Sequence, residues 1–372
     1  MKIFHIFEGR NDNRNMKAFR SILITLLLAV SVQAAGQAEC QVKCQEKGQA
    51  DEPRVAARLQ YNREGRFKIV QLADTHVIAG DPRSERAIQN INAVLDAEKP
   101  DFVIHTGDIV FGEPAGPSAQ KALQPLADRG IPFAVALGNH DSDFDLTREE
   151  IYNLILSFPG NVNTSAEPGI NGFSNDILTL SGKDGIERVL YLFDSGSREY
   201  PAGIKSWGYV HSDQIDWYRR CSDWFSNLNG GSPVPALAFF HIPFPEYRQA
   251  LGDASKKARF LTGNLGEEPA VPLFNTGLYT AMREKGDVQG VVTGHDHNND
   301  FVMLWQGFFF IYGRYGGCDT VYNDLKPNGA RVFEFTEGDK GFRTWIRFSD
   351  GRVEQERYLF PGMKTLSDTP QK

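Results

Sequence analysis

The chain has 372 residues, 41% hydrophobic and 23% charged, with a formal net charge of −7. This is the make-up of a globular protein with a sizeable buried core, and it excludes wholesale disorder. No long Lys/Arg run is present, so the electrostatic footprint of a protein that grips nucleic acid is missing, and no stable nucleic-acid partner is expected.

Residues 1–34 read as a secretory signal peptide. Lys17 and Arg20 form a basic start, Ile22 to Val32 a short apolar run, and Val32 and Ala34 the small residues that cleavage needs; Met16 is a candidate true start. The run falls short of the about 20 apolar residues that span a bilayer. No membrane anchor is therefore expected, and the mature protein is placed outside the cytosol, secreted or periplasmic. The segment carries five cations against two carboxylates, so its removal takes the net charge from −7 to −10. Glu39 precedes Cys40 where a lipoprotein signal wants a small residue. In an oxidising compartment Cys40 and Cys44 could close a small loop, and Cys221 with Cys318 is a further candidate pair, with the connectivity left open.

Residues 35–64 are polar and read as an arm or linker, 65–362 as the folded domain and 363–372 as a tail. Within the domain, short apolar runs bounded by Gly, Pro, Asp or Asn predict strands at Phe67–Ala73, Phe102–Thr106, Phe133–Leu137, Val189–Phe193, Ala236–Phe240 and Val291–Thr293. Helical stripes alternate with them: Ile88, Ile91 and Leu95 after Ser84; Ile151, Leu154, Ile155 and Phe158 after a Thr147/Glu150 capping box; Ile215, Tyr218, Cys221 and Trp224 or Phe225. Strands alternating with helices predict an α/β core. From Phe308 to Phe360 strand follows strand, which predicts antiparallel sheet.

Five motifs stand at or just past the ends of the apolar runs, where α/β sheets gather ligands. They are Asp74-Thr75-His76, Gly107-Asp108, Gly138-Asn139-His140-Asp141, His241 in Phe240-His241-Ile242-Pro243, and Gly294-His295-Asp296-His297; five of the chain's eight histidines fall in them. Asp74 and His76, like His295 and His297, are two apart, so in an extended segment each pair faces one way. Imidazole and carboxylate suit Zn, Fe and Mn. The glycines remove side chains where the backbone must turn and approach. Asn139 offers an amide oxygen without adding negative charge. Each motif alone is weak; the ordered set of five points to a metal site.

The ordered set resembles the calcineurin-like metallophosphoesterase superfamily. The stretches FFHIPFPEY, TGHDHNNDF and FIYGRYGG are similar to its purple-acid-phosphatase-like branch of plant and fungal proteins. The resemblance covers residues 66 to 320. It implies a four-layer α/β/β/α sandwich of two mixed β-sheets with flanking helices, a dimetal site at strand C-terminal ends, and a catalytic domain over 65–362. Carried over, Asp74, His76 and His297 would bind one ion, Asn139, His241 and His295 a second, and Asp108 would bridge both. His140 would face the phosphoryl group or the leaving oxygen, and Asp141 would orient His140. Purple acid phosphatases place a ferric-binding Tyr three residues after the bridging Asp. Here that residue is Phe111, so no tyrosinate–iron colour is expected, and the two ions stay open among Fe, Zn and Mn.

The implied activity is hydrolysis of a small phosphate monoester by a metal-bound hydroxide. A phosphodiesterase acting on nucleotides or lipids would use the same centre. An inactive binding homologue and a phosphate scavenger are the rivals from another class; the completeness of the ligand set argues against them. His105 reads as packed behind the site and His211 as a helix start. Asn298 and Asp300 read as supports of the last motif, and Asn175, Arg314 and Tyr315 as candidates for a substrate rim. Phe308-Phe309-Phe310 reads as sheet core.

Overall fold

The computed structural model describes residues 52–253, 258–364 and 368. The segment read as a signal peptide, Cys40, Cys44 and most of the polar arm lie outside the described residues. The end of that arm forms edge strand β1 (Ala57–Gln60). Strand β2 (Arg66–Leu72) alternates as a two-sided buried strand should: Phe67 and Ile69 enter one apolar cluster, Val70 and Leu72 another. Helix α1 (Glu85–Glu98) buries Ala87, Ile91, Val94 and Leu95 along one face. It stops at Lys99, whose left-handed backbone returns its N–H to Leu95 O. Strand β3 (Phe102–His105), helix α2 (Ala115–Asp128) and strand β4 (Phe133–Val135) follow. Helix α3 (Arg148–Leu156) opens on the expected capping box, with Thr147 and Glu150 exchanging hydrogen bonds.

The middle of the chain builds a second sheet. It contributes β5 (Asp176–Gly182), β6 (Gly185–Leu192), a two-residue hairpin of β7 (Arg198–Glu199) and β8 (Ser206–Trp207), and α4 (Ser212–Leu228). Next come β9 (Ala236–Phe239), α5 (Glu246–Leu251), β10 (Arg259–Thr262), α6 (Leu278–Lys285), β11 (Val288–Thr293), β12 (Val302–Trp305) and β13 (Phe308–Tyr312). The chain then returns to the first sheet as the antiparallel ribbon β14 (Gly329–Thr336), β15 (Phe342–Phe348) and β16 (Val353–Leu359). The eight-stranded sheet runs β1-β5-β6-β9-β11-β13-β12-β10 and the six-stranded sheet β16-β15-β14-β2-β3-β4. Both are mixed: β2-β3-β4 and β6-β9-β11-β13 pair in parallel, while the outer hairpins are antiparallel.

Three apolar clusters separate four layers. One lies between α1–α3 and the six-stranded sheet, and one between the two sheets, where Phe102, Ile104 and Phe333 meet Leu190, Phe239 and Ile311. The third lies between the eight-stranded sheet and α4–α6 and contains Phe308 and Phe310. This is the expected α/β/β/α sandwich. Buried polar side chains cross it. Gln71 on β2 donates to Thr106 Oγ1 (2.8 Å) and to Thr293 O on β11 (3.2 Å), which ties the sheets together beneath the loops that follow them. Cys221 and Cys318 are both free and buried, one in each helix-facing cluster, so the candidate pairing between them is not made.

Candidate metal centre

Parallel pairing of β2 with β3 continues past the strand ends as loop against loop. Asp74 N bonds Gly107 O (3.1 Å), His76 N bonds Asp108 O (3.0 Å) and Val77 N bonds Ile109 O (2.9 Å). The third loop locks onto the second through glycine. A Cβ on Gly138 would lie 2.2 Å from Asp108 N, and one on Gly107 2.2 Å from Gly138 N. The sequence placed Asp74 and His76 in extended backbone; instead Asp74 (φ 54°), His76 (φ 47°), Asp108 (φ 54°) and His295 (φ 79°) are all left-handed. Four of the eight such non-glycine residues among the described residues thus sit on this one centre. Each costs about 1–3 kcal/mol, a strain that persists at functional sites because the surroundings over-determine it.

These turns bring the side chains together. Asp74, His76 and His297 place donor atoms within 4.8 Å of one another, and so do Asp108, His241 and His295. His76 Nε2 is 3.1 Å from His297 Nε2 and 3.9 Å from Asp74 Oδ1, and His297 Nε2 is 3.8 Å from Asp74 Oδ1. In the second group His241 Nε2 is 3.0 Å from Asn139 Oδ1 and 3.2 Å from Asp108 Oδ2. Asp108 Oδ2 also lies 3.7 Å from His76 Nε2, so one carboxylate oxygen faces both groups. Donors sharing an ion at about 2.0–2.2 Å stand roughly 3–3.5 Å apart, which this spacing approaches.

The electrostatics fit cations as well. His297 donates Nδ1–H to Tyr322 O (2.9 Å), which leaves Nε2 bare, and burial lowers the ring to about 4. Burial, then a neighbouring imidazole, holds His76 and His295 well below the ordinary histidine range. His241 differs. Nδ1 donates to Thr106 O (2.7 Å) while Nε2 faces two acceptors, so both nitrogens carry protons. Burial opposes that charge, but Asp108 outweighs it and pushes the ring up to about 9. The nitrogen and two oxygens that share this proton are the donor set a cation would take. His76 Nδ1, His295 Nε2 and Asn139 Nδ2 are buried without a protein partner, a concentration of unsatisfied atoms that folded proteins avoid outside ligand sites.

One expected role changes. Asp141 does not orient His140. It is fully buried and accepts backbone N–H groups from Gly138 (2.8 Å), Asp108 (3.0 Å), Ile109 (2.7 Å) and Val110 (3.3 Å), so it sets the loop that carries Asp108. The partner of His140 is Asp143, with Nδ1 to Oδ2 at 2.8 Å. A carboxylate two residues further on was unreadable in Asp-Ser-Asp because either Asp could reach. His140 itself stands beside the centre, its backbone N–H on Asp108 Oδ1 (2.8 Å) and its ring 5.6 Å from that of His76. Phe111 lies edge-on to both rings, at 5.0 Å from His76 and 4.8 Å from His140.

The proposed rim residues are interior. Asn175 bonds Gln214, Arg314 pairs with Asp300 (2.6 Å), and Tyr315 donates to Cys318 O. His105 accepts from Gly107 N and donates to Thr75 Oγ1, bracing the first motif from behind, and His211 caps α4. Asn298 and Asp300 do support the last motif: Asn298 ties Asp324 to it, and Asp300 holds Asn264. Sequence reading missed Arg148, which donates to Gly138 O (2.7 Å) and pairs with buried Asp194. It also missed Trp207, whose ring stands 4.6 Å from that of His295.

Comparison with known proteins identifies the family. Residues 67–299 match the family model for calcineurin-like phosphoesterases. "Probable inactive purple acid phosphatase 14" of Arabidopsis thaliana is 31% identical over 291 residues, covering 68% of this chain and 71% of that protein. "Phosphatase DCR2" of Saccharomyces cerevisiae is 30% identical over 338 residues, 80% of this chain and 56% of its own length. A dimetal phosphatase of Danio rerio shares the fold, with a TM-score of 0.55 at 12% identity, covering 80% of this chain and 99% of that one. Its motifs, its fold and its relatives make this chain a member of the calcineurin-like phosphoesterase family.

Proposed function

We propose that the chain hydrolyses phosphate monoesters at a two-cation centre, outside the cytosol. Asp74, His76 and His297 would hold one ion, Asn139, His241 and His295 the other, and Asp108 would serve both. The observation that carries this reading is the single Asp108 oxygen facing His76 at 3.7 Å and His241 at 3.2 Å. Two such ions, when bound, neutralise phosphoryl oxygens and lower the pKa of water towards about 7. Against two divalent charges the site sets only the Asp74 and Asp108 carboxylates, which leaves about +2 to draw an anionic ester into an acidic protein.

The chain's own residues do the rest. Asn139 contributes its oxygen without charge. Asp141 and Arg148 fix the loops so that Asp108 and Asn139 need not reorganise when charge develops. His140, with Nδ1 committed to Asp143, has Nε2 left to hold a proton for the departing oxygen. Trp207 against His295 and Tyr322 stacked 4.5 Å from His297 set an aromatic ring against one histidine of each half. The word "inactive" in the name of the Arabidopsis relative belongs to that protein; here every donor of the set is present and converges.

The test is hydrolysis of an aryl phosphate and a bis-aryl phosphate by metal-replete protein, with elemental analysis of the same sample. Turnover of the monoester ahead of the diester, abolished by chelation, is expected. Fully metallated protein that cleaves neither, nor a broad ester panel, would favour a binding role. Export is tested by N-terminal sequencing of the mature protein, which should begin near residue 35. Among the described residues no helix is long and apolar enough to cross a membrane.

A further inference from the structure

We propose that Asp143 and Arg198 are positioning residues that hold the His140 imidazole for proton delivery to the leaving group, with the β7–β8 hairpin as their scaffold. The inference rests on the phosphoesterase reading above.

The contacts form a chain. His140 Nδ1 meets Asp143 Oδ2 at 2.8 Å, and Arg198 Nη1 meets Asp143 Oδ1 at 3.0 Å and Oδ2 at 2.9 Å. His140, Asp143 and Arg198 side chains are 22%, 27% and 30% exposed, so solvent only partly screens the three. Arg198 in turn lies 5.3 Å from the Trp207 ring, its direct cross-strand neighbour, and Trp207 packs on His295. Ser197 Oγ donates to Asn139 O (2.8 Å), the carbonyl just before His140. The neck of the hairpin is tight enough that a Cβ on Gly208 would lie 2.4 Å from Ser195 O. The hairpin and its neck therefore touch the second cation group at two points and the Asp143 carboxylate at a third.

The consequence is orientational. A bare imidazole can turn about its side-chain bonds and present either nitrogen. Asp143 accepts from Nδ1 and so fixes the ring plane, leaving Nε2, which carries the second proton when the ring is charged, to face the substrate. Arg198 fixes the carboxylate by donating to both of its oxygens. An isolated surface ion pair would do little. This one is anchored at both ends to the centre, by the His140 N–H on Asp108 and by Trp207 on His295.

Proton delivery matters most when the departing alkoxide is a poor leaving group, and this separates positioning from mere support. Metal-replete wild type, Asp143→Ala, Arg198→Ala, Arg198→Lys and His140→Ala are assayed for kcat and KM on an alkyl phosphate and on a nitrophenyl phosphate, with ions counted. Ile204→Ala, at the exposed hairpin tip, is the control. Asp143→Ala and Arg198→Ala should keep their ions and lose about tenfold to a hundredfold in kcat on the alkyl ester. They should lose far less on the nitrophenyl ester, and Arg198→Lys should recover most of the loss. Added to His140→Ala, Asp143→Ala should cost nothing more. Equal losses on both esters, loss of ions, or additive effects of His140→Ala and Asp143→Ala would overturn the proposal. If wild type cleaves neither ester, the phosphoesterase reading falls and takes this one with it; active wild type with unaffected variants sinks this one alone.

Discussion

The two halves of the centre are made of the same residue types but are held in opposite ways. Around Asp74, His76 and His297 the rings are neutral, both depressed by burial, and the two Nε2 atoms meet at 3.1 Å over a single proton, since His297 donates its own to Tyr322 O. Aromatic packing fixes them, with Phe111 on His76 and Tyr322 on His297. Around Asp108, Asn139 and His241 a proton stands where a cation would, shared by His241 with both oxygens. The first half can take an ion by a change of tautomer within a neutral His76 ring, with no net loss of a proton, whereas the second must release one. Each half also leans on its own buried ion pair. Arg148–Asp194 holds the Asn139 loop, and Arg314–Asp300 the loop after His297.

The comparison breaks most severely at the residue the halves share. Asp108→Asn should lose ions from both halves and cost about a thousandfold or more in turnover, several kcal/mol of transition-state stabilisation. His297→Ala should lose one ion and keep the other. Elemental analysis beside kcat distinguishes them, and equal ion loss in the two variants would mean that the halves are not separate.

The braces come next. Arg148→Met strands Asp194, and Arg314→Met strands Asp300, each in a fully buried setting. Each should destabilise by about 3–5 kcal/mol in urea unfolding. Arg148→Met should also impair the second half selectively, since its guanidinium holds the carbonyl of Gly138.

A smaller effect sharpens the contrast through pH. In chelator-stripped protein the His241 ring, raised from 6.5 to about 9, favours folding fully at pH below its unfolded value and loses that contribution as pH rises through about 9. The depressed His76, His295 and His297 rings act in the acid range, and their effect is complete by about pH 7.5. The melting temperature of stripped protein should therefore fall between about pH 7.5 and 10, and saturating metal should remove the decline. A flat profile would mean that His241 carries no extra proton.

The smallest effect is confined to the first half. Phe111→Tyr puts a hydroxyl next to His76 with little change in packing volume. Reconstituted with ferric iron, the variant should gain a visible tyrosinate band that wild type lacks, while stability stays nearly constant.

Much of this was legible because strand ends announce themselves. The apolar runs before Asp74, Asp108, Asn139, His241 and His295 marked the site residues, and the capping box at Thr147 fixed the start of α3. The angle at which the side chains meet was not legible. Left-handed turns at Asp74, His76 and His295 replace the extended geometry that the two-residue spacing suggested, since only contacts between distant loops can hold them. The partner of His140 was misread for a similar reason: Asp141 and Asp143 are equivalent in sequence, and the four backbone N–H groups that claim Asp141 come from two loops. Helix α2 escaped notice because Pro117 and Pro125 lie in it. The short hairpin carrying Arg198 and Trp207 shows no alternation to read.

Anomalous diffraction from crystals loaded with manganese or zinc tests the central claim most directly. The account predicts two peaks per chain about 3.5–4 Å apart, with Asp108 between them and His76 and His241 on opposite sides. A single peak, or peaks away from these residues, would contradict it.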